Sequence, residues 1–235
     1  MKKNIKFILS ILFTIAFVGN GFSTQAANPA SFFYLTWESN GSAPIVYQGK
    51  KLASIDSVIK VSVQPFIYSG NGYSDSSQWQ YRWYLNDEFA NIDGVGIKQF
   101  RFRVKGYNFN EQVVKVKITF PNNVVQEKTI NIPIVNPRAV IKPEVKSIIA
   151  RNGIISTNES EVTLMAIPYF FSDANNLKIK WYKDDEYQTN KSSVKNIFTV
   201  KKSDGNNFIV KVLINDVNDS LIRAIGQIGI NFLGI

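Results

Sequence analysis

The chain of 235 residues contains neither cysteine nor histidine. Without cysteine no disulfide can staple the fold, so its stability must come from packed hydrophobic cores. Serine–histidine–aspartate and cysteine–histidine catalytic arrangements are excluded, as are zinc sites with histidine or cysteine ligands. These absences favour a binding or structural protein over an enzyme. We predict no catalytic residues, no bound metal and no cofactor.

Carboxylate pairs are the catalytic option that remains, because glycoside hydrolysis needs only two acids. The acidic residues, however, fall mostly in predicted turns, where aspartate is favoured for local hydrogen bonding. Two such segments, residues 184–186 and 215–219, are rich in the oxygen ligands that calcium prefers. Neither fits the EF-hand loop pattern, so bound calcium is kept as an alternative.

Long hydrophobic runs are also scarce, and the one that stands out lies near the N-terminus. Residues 7–18 are almost entirely apolar and follow three lysines, and Thr24-Gln25-Ala26 offers small residues to a signal peptidase. The run is shorter than the ~20 residues of a spanning helix. We predict a signal peptide over 1–26, a secreted or extracytoplasmic bacterial chain, and no membrane span after cleavage. An uncleaved anchor is the alternative.

Basic residues outnumber acidic ones only mildly. The chain has 27 lysines and arginines against 18 aspartates and glutamates, a net charge of +9. Three of the lysines lie in the predicted leader, and subtracting them leaves +6. This excess fits an anionic cell surface or polymer. No recognisable nucleic-acid-binding motif accompanies it, so we predict no nucleic-acid partner.

One sequence pattern occurs twice. An apolar segment with proline and aromatic residues, at 63–69 and again at 166–172, is followed by a Trp-Tyr pair, at Trp83 and at Trp181. The two tryptophans are 98 residues apart. That spacing indicates two copies of one small domain. We place the signal peptide at 1–26, the first domain at 29–138 and the second domain at 139–235.

Nearly every ordered segment alternates apolar and polar residues, as β-strands do, and none keeps a helical period. The predicted strands are 58–63, 80–84, 100–104, 114–120 and 129–134, then 162–167, 178–182, 198–201, 208–214 and 227–232. Turn residues separate them at Asn71-Gly72, Asn86-Asp87, Asp93-Gly94, 121–123, Asn152-Gly153 and Asp204-Gly205. The pattern predicts an all-β fold of two antiparallel sandwiches, linked through residues 135–138.

The residues at the two repeat centres resemble those of immunoglobulin domains, in which two core cysteines flank a tryptophan. The equivalent triples here are Ala166, Trp181 and Val210 in the second domain and Val63, Trp83 and Val114 in the first. The chain departs from the family where Phe208 lacks the hydroxyl of the usual corner tyrosine. The resemblance implies tandem immunoglobulin-like sandwiches. Fibronectin type III-like and polycystic-kidney-disease-like modules are the alternatives.

Outward-facing basic residues are predicted at equivalent places in both domains. Strand alternation puts Trp79, Tyr81 and Trp83 in the core rather than on an exposed sugar-binding platform. The opposite face carries Arg82, Tyr84, Lys115 and Lys117 in the first domain and Lys178, Lys180, Tyr182 and Lys211 in the second. These residues are the candidate binding face for an unknown protein or an anionic envelope polymer. Alternatively, they only keep the sheets soluble and prevent edge pairing.

Two segments of the first domain, residues 32–37 and 44–50, have no counterpart in the second. In the former, Phe33, Leu35 and Trp37 share one face, and we predict an added first strand that completes the sandwich. Together the patterns predict an exported, non-enzymatic interaction or structural module of a bacterial cell envelope. The alternatives are a carbohydrate-binding module, and an adhesin or surface-polymer subunit, which would need an unpaired edge strand.

Overall fold

The computed structural model describes residues 31–45, 47–67, 75–106, 110–145, 148, 150–189 and 195–234. The predicted signal peptide and the predicted turn at Asn71-Gly72 lie outside these residues. The described chain consists of sixteen β-strands and one short 3₁₀ turn, Lys202–Asp204, and within it there is no α-helix. The prediction of an all-β fold is confirmed.

The first sandwich contains seven strands in two sheets. They are β1 (Ser31–Ser39), β2 (Val58–Ile67), β3 (Gln80–Leu85), β4 (Glu88–Val95), β5 (Gln99–Arg103), β6 (Glu111–Thr119) and β7 (Val125–Pro133). A three-stranded antiparallel sheet in the order β1-β2-β5 packs on a four-stranded antiparallel sheet in the order β4-β3-β6-β7. Because β4 pairs with β3, the arrangement differs from that of constant-type immunoglobulin domains.

The second sandwich repeats this plan and extends one sheet. Its strands are β8 (Arg138–Pro143), β9 (Ala150–Arg151), β10 (Ile154–Thr157), β11 (Glu161–Tyr169), β12 (Leu177–Lys183), β13 (Glu186–Gln188), β14 (Ile197–Lys201), β15 (Asn207–Asp216) and β16 (Arg223–Phe232). The sheets have the orders β14-β11-β8 and β13-β12-β15-β16-β10-β9. The added hairpin β9–β10 covers the edge of β16, with β10 parallel to β16. The predicted pair of tandem sandwiches is confirmed.

Each predicted strand overlaps an observed one, but the predicted turn at Asp93-Gly94 is wrong. These residues lie inside β4, where Asp93 is opposite Arg82 and Gly94 is opposite Tyr81. Pairing with β3 overrides the low β-propensity of aspartate and glycine. The predicted strand 227–232 begins four residues earlier, and the first residue of β8 belongs to the segment predicted as linker.

A buried tryptophan lies at the centre of each sandwich. Trp83 is 0% exposed and Trp181 is 1% exposed, and the aliphatic residues predicted to flank them are buried in the same two clusters. The indole N–H of Trp83 donates to the carbonyl of Ile97 (2.9 Å), and that of Trp181 donates to the carbonyl of Lys195 (3.2 Å). Both acceptors lie fourteen residues after their tryptophan. The two cores therefore share hydrogen bonding as well as sequence.

The first strand completes the first sandwich, as predicted. Phe33 is buried in the first cluster, and Leu35 and Trp37 pack against it. Phe32 and Tyr34 point to the other side and are 61% and 59% exposed. The alternation of the sequence thus places one face of β1 in the core and leaves an aromatic face in solvent.

The two sandwiches contact each other through the connecting loop between β1 and β2, of which residues 40–45 and 47–57 are described. Ser42 N–H donates to the carbonyl of Phe171 (2.7 Å), and Phe170 N–H donates to the carbonyl of Ser42 (2.6 Å). The hydroxyl of the buried Ser54 donates to the carbonyl of Phe170 (2.5 Å). These hydrogen bonds join the loop to the chain that follows β11, and we call this contact the joint.

Phe170 is the residue around which the joint is built. Its side chain is 7% exposed, and its backbone φ is 63°, a left-handed value that costs a bulky residue about 1–3 kcal/mol. The ring of Tyr47 packs edge-to-face against both Phe170 and Tyr169, with centroids 5.8 Å apart in each case. Tyr47, which belongs to a segment without a counterpart in the second domain, therefore packs against the second sandwich.

Candidate binding face

Two equivalent hairpin turns place an aspartate beside each predicted face. In the turn between β3 and β4, Asn86 and Asp87 have φ values of 51° and 65°, which asparagine and aspartate tolerate well. The Asn86 side chain accepts a hydrogen bond from Val113 N–H (2.9 Å), and Asn86 N–H donates to the carbonyl of Val113 (2.8 Å). The turn is thereby fixed against β6, with Asp87 directed at Lys115.

The turn between β12 and β13 has the same construction. Asp184 and Asp185 have φ values of 49° and 68°. The Asp184 side chain accepts a hydrogen bond from Ile209 N–H (2.8 Å), and Asp185 forms an ion pair with Lys211 (2.5 Å). The predicted acidic segment 184–186 is therefore used for turn geometry and for charge pairing.

On the first face, defined by Arg82, Tyr84, Lys115 and Lys117, every basic side chain has an acidic partner. Arg82 pairs with Asp93 (3.1 Å), Lys115 with Asp87 (2.9 Å) and Lys117 with Glu127 (3.9 Å). The hydrogen bonds to these aspartates raise the pKa of Arg82 and the pKa of Lys115. The charge of the first face is thus neutralised within the sandwich.

Aromatic rings further hold the cations of the first face. The Arg82 guanidinium lies 5.2 Å from the ring centroid of Phe89, and the Lys115 ammonium lies 5.3 Å from that of Tyr84. Cations above aromatic rings are attracted by the ring quadrupole. Arg82 and Lys115 each therefore have both an acidic and an aromatic partner.

On the second face, defined by Lys178, Lys180, Tyr182 and Lys211, only Lys211 has an acidic partner among the described residues. Lys178 is exposed and Lys180 is half-buried, and no ion pair is formed by either within the described chain. The positions that sequence reasoning treated as equivalent therefore differ in charge. The second face keeps an uncompensated positive charge, which the first face lacks.

Two structural differences explain this contrast. Strand β4 is eight residues long and brings Asp93 opposite Arg82, whereas its equivalent β13 has only three residues and ends opposite Trp181. In addition, Glu127 of β7 lies opposite Lys117, but the equivalent position of β16 is Ile225, opposite Leu213. In the second sandwich the shorter β13 and Ile225 therefore do not supply the acids that β4 and Glu127 supply in the first.

The structure adds three residues to the second face that sequence reasoning missed. Arg223 lies opposite Asn215, which in turn lies opposite Lys178, and no acidic partner for Arg223 is found in the described chain. Ile225 is 66% exposed, and Tyr187 is 60% exposed and packs edge-to-face on Tyr182 at 5.8 Å. Arg223 and Ile225 continue the outward alternation of residues 227–232, so extending that strand backwards would have identified them.

The assembled second face combines a cationic row with an aromatic row. The cationic row consists of Lys178 and Lys180 on β12 and Arg223 on β16. The uncharged Asn215 of β15 lies between Lys178 and Arg223. The side-chain oxygen of Asn215 is buried without a hydrogen-bond partner in the described chain. Lysine and arginine donors at strand spacing can bind repeated anionic groups, while Tyr182 and Tyr187 supply apolar contact.

The predicted core position of the aromatic residues in and just before β3 is confirmed. Trp79, Tyr81 and Trp83 are 4%, 0% and 0% exposed, so they offer no stacking surface for a sugar. Burial raises the pKa of Tyr81, whose hydroxyl donates to the carbonyl of Ser76 (3.1 Å). A sugar platform on this strand is therefore ruled out.

The acidic residues of the described chain serve mainly structural contacts. Asp204 pairs with Lys183 (3.3 Å), and the Asp216 side chain accepts hydrogen bonds from Asn218 N–H (2.8 Å) and Asp219 N–H (3.3 Å). No group of three or more acidic residues able to hold a metal is found in the part of the chain that the structure covers. In that part there is also no helix with the length and apolarity needed to cross a bilayer.

The chain matches no family model and no curated protein sequence. Among solved structures it is similar to the fibronectin(III)-like modules of Clostridium thermocellum CbhA, with 12% identity over 84% of this chain and 93% of that chain and a TM-score of 0.28. It is similar to murine CEACAM1b, with 12% identity over 84% and 96% and a TM-score of 0.29. It is also similar to a 1.5-MDa bacterial ice-binding adhesin, with 11% identity over 85% and 65% and a TM-score of 0.31. These likenesses assign neither a family nor a function.

Proposed function

We propose that this protein is a non-enzymatic, exported binding module of a bacterial cell envelope and that its second face binds an anionic polymer. The observation that carries the proposal is the pairing contrast between the two faces. Arg82, Lys115 and Lys117 are neutralised by acids, whereas Lys178, Lys180 and Arg223 have no acidic partner in the described chain. If the basic residues served only solubility, we would expect no difference between the two faces in the pairing of basic with acidic residues.

The domain limits belong to the same proposal, with the first domain at 29–138 and the second at 139–235. The separation of the two buried clusters supports these limits. One cluster draws on residues 33–134, and the other draws on residues 139–232 together with Ile55 from the loop between β1 and β2. Export rests on the predicted signal peptide over 1–26. Amino-terminal sequencing of the protein recovered from outside the cytoplasm tests both export and cleavage.

The proposed binding is tested by retention of the protein on isolated cell envelopes. Retention should fall steeply between about 50 mM and about 500 mM salt, because exposed charges are screened over roughly 8–10 Å at physiological ionic strength. Replacing both Lys178→Glu and Lys180→Glu should weaken retention by roughly tenfold or more, because each reversal turns an attraction into a repulsion.

The first face provides the matched control. The double substitution Arg82→Glu and Lys117→Glu changes the net charge by the same amount, and Arg82 occupies the place in β3 that Lys180 occupies in β12. This variant should retain most of the binding. Equal losses in both variants would show that only net charge matters. Loss of binding after protease treatment of the envelopes would identify an acidic protein as the partner instead.

A further inference from the structure

β1 is a long strand at the open edge of its sheet, and in the described molecule it lies near β7 of the facing sheet without forming a ladder with it. β1 pairs with β2 over nine residues without a register shift, from Ser31 opposite Ile67 to Ser39 opposite Ile59. It contains no proline, and Glu38 is its one charged residue. A long, regular edge of this kind presents N–H and C=O groups to any strand that can pair with them.

The hydrogen-bond pattern shows which backbone groups face that edge. Asn40 N–H donates to the carbonyl of Val58 (3.1 Å), and Val63 N–H donates to the carbonyl of Lys98 on the far side of β2 (3.0 Å). Since the bonds of an antiparallel ladder alternate, Tyr34, Thr36 and Glu38 bond to β2. The backbone groups of Phe33, Leu35 and Trp37 therefore face the open edge, and no backbone partner for these three is found among the described residues.

The equivalent strand of the second sandwich is protected. β8 has only six residues, ends in Pro143, and exposes Arg138 and Lys142. It also lies close to β16, since a Cβ atom on Gly226 would be only 2.7 Å from the carbonyl oxygen of Ala139. Short length, proline and positive charge are the usual means of preventing edge pairing. β1 has none of them.

An exposed aromatic patch lies beside the open edge of β1. Phe32 and Tyr34 are 61% and 59% exposed, and Phe66 of β2 is 38% exposed. The rings of Tyr34 and Phe66 meet edge-to-face at 5.6 Å. Contiguous exposed apolar side chains are typical of interaction surfaces.

We propose that two copies of this chain pair through β1, antiparallel and about a two-fold axis at Leu35. In this register Leu35 lies opposite its own copy and Phe33 lies opposite Trp37, so the backbone groups that face the edge satisfy one another. On the outer face Tyr34 lies opposite Thr36 and Phe32 lies opposite Glu38. No like charges are brought together, and the two three-stranded sheets become one continuous sheet.

The strand's self-complementarity singles out a second copy as the occupant. Glu38, the one charge of β1, already forms an ion pair with Lys60 of the same chain. The pairing therefore brings two neutralised, largely apolar surfaces together. A partner carrying many charges would find no complementary charge along this edge.

The test is sedimentation velocity of the exported chain between about 1 μM and about 100 μM, a range that covers typical affinities of weak dimers. We expect a reversible, concentration-dependent dimer. The double substitution Tyr34→Lys and Thr36→Lys puts like charges opposite each other in both halves of the pair, and it should raise the dimer Kd at least tenfold. The double substitution Tyr34→Lys and Thr36→Glu puts opposite charges there and should restore dimerisation.

The two variants are matched, because both change the same two exposed positions of one strand. Val95→Lys, at a 61% exposed position on the edge strand β4, is the control for loss of surface hydrophobicity and should leave the dimer unchanged. A chain that stays monomeric at every concentration overturns the proposal. So does a dimer that resists the lysine pair, or a lysine–glutamate variant as weak as the lysine pair.

Discussion

The two sandwiches have similar strand order and core packing, but their exposed surfaces differ in charge and in edge protection. The first neutralises its basic face with Asp87, Asp93 and Glu127, and leaves the edge of β1 open. The second has the shorter β13, leaves Lys178 and Lys180 without acidic partners in the described chain, and protects β8, the equivalent of β1, by its short length, Pro143 and exposed basic residues. The two sandwiches therefore have equivalent cores and different surfaces. Under our proposals, one copy binds an anionic polymer and the other binds its own kind.

The largest expected effect on stability comes from replacing the central tryptophans. It tests whether the two cores are as equivalent as their hydrogen bonds indicate. Trp83→Ala and Trp181→Ala should each lower the free energy of unfolding of the affected sandwich by about 3–5 kcal/mol, since each opens a cavity and leaves a carbonyl without its donor. Urea denaturation followed by tryptophan fluorescence and circular dichroism measures the loss. Trp→Phe at each site keeps a ring on Phe100 or Phe198 and should cost clearly less. Unequal losses of unfolding free energy at the two sites would contradict the inference that the two cores are equivalent.

A smaller effect is expected at the joint. Ser54→Ala removes the hydroxyl that donates to the Phe170 carbonyl and should cost about 1–3 kcal/mol, because it leaves a buried acceptor without its donor. Calorimetry should then show the two sandwiches unfolding as more separate transitions. Ser76→Ala is the control, since Ser76 is also a buried serine and its carbonyl accepts from Trp79 N–H and the Tyr81 hydroxyl within the first sandwich. A similar separation in both variants would mean that the serine–carbonyl bond does not couple the sandwiches.

The smallest effect on stability, and a gain in binding, is expected when the acids of the first face are neutralised. Asp87→Asn, Asp93→Asn and Glu127→Gln together should give the first face unpaired cations like those of the second. Exposed ion pairs contribute little to stability, so the thermal midpoint should hardly change. Retention on envelopes at low salt should rise severalfold. Glu144→Gln, Glu159→Gln and Glu161→Gln make the same change in net charge away from this face, and an equal rise there would contradict the prediction.

Local sequence pattern was enough to predict the cores. Alternation and the repeated tryptophan located Trp83, Trp181 and the strands around them, because core burial in a strand follows a period of two. Strand β4 was missed because Asn91, Asp93 and Gly94 are poor strand formers, and only pairing with β3 holds them extended. Its length, in turn, decides whether the cations of the neighbouring strand are neutralised.

Contacts between residues distant in sequence could not be predicted. The charge contrast between the faces depends on which residue lies opposite another, such as Glu127 opposite Lys117 and Ile225 opposite Leu213. The joint depends on Ser42 meeting Phe170, residues that no local pattern connects. Strand alternation and the repeat spacing therefore predicted two similar basic faces, and only the pairing of the strands showed that the two faces differ.

The joint has a consequence for the order in which the protein matures. Under the proposed export, the amino-terminal residues emerge from the membrane first, and domains fold as units as they emerge. The first sandwich can thus fold before the hydrogen bonds of Ser42 and Ser54 form. Their acceptors are the carbonyls of Phe171 and Phe170, which follow β11 in the sequence. Closing the loop onto that late turn is then one of the final events, and a truncated product lacking it would carry the loop undocked and accessible to proteases.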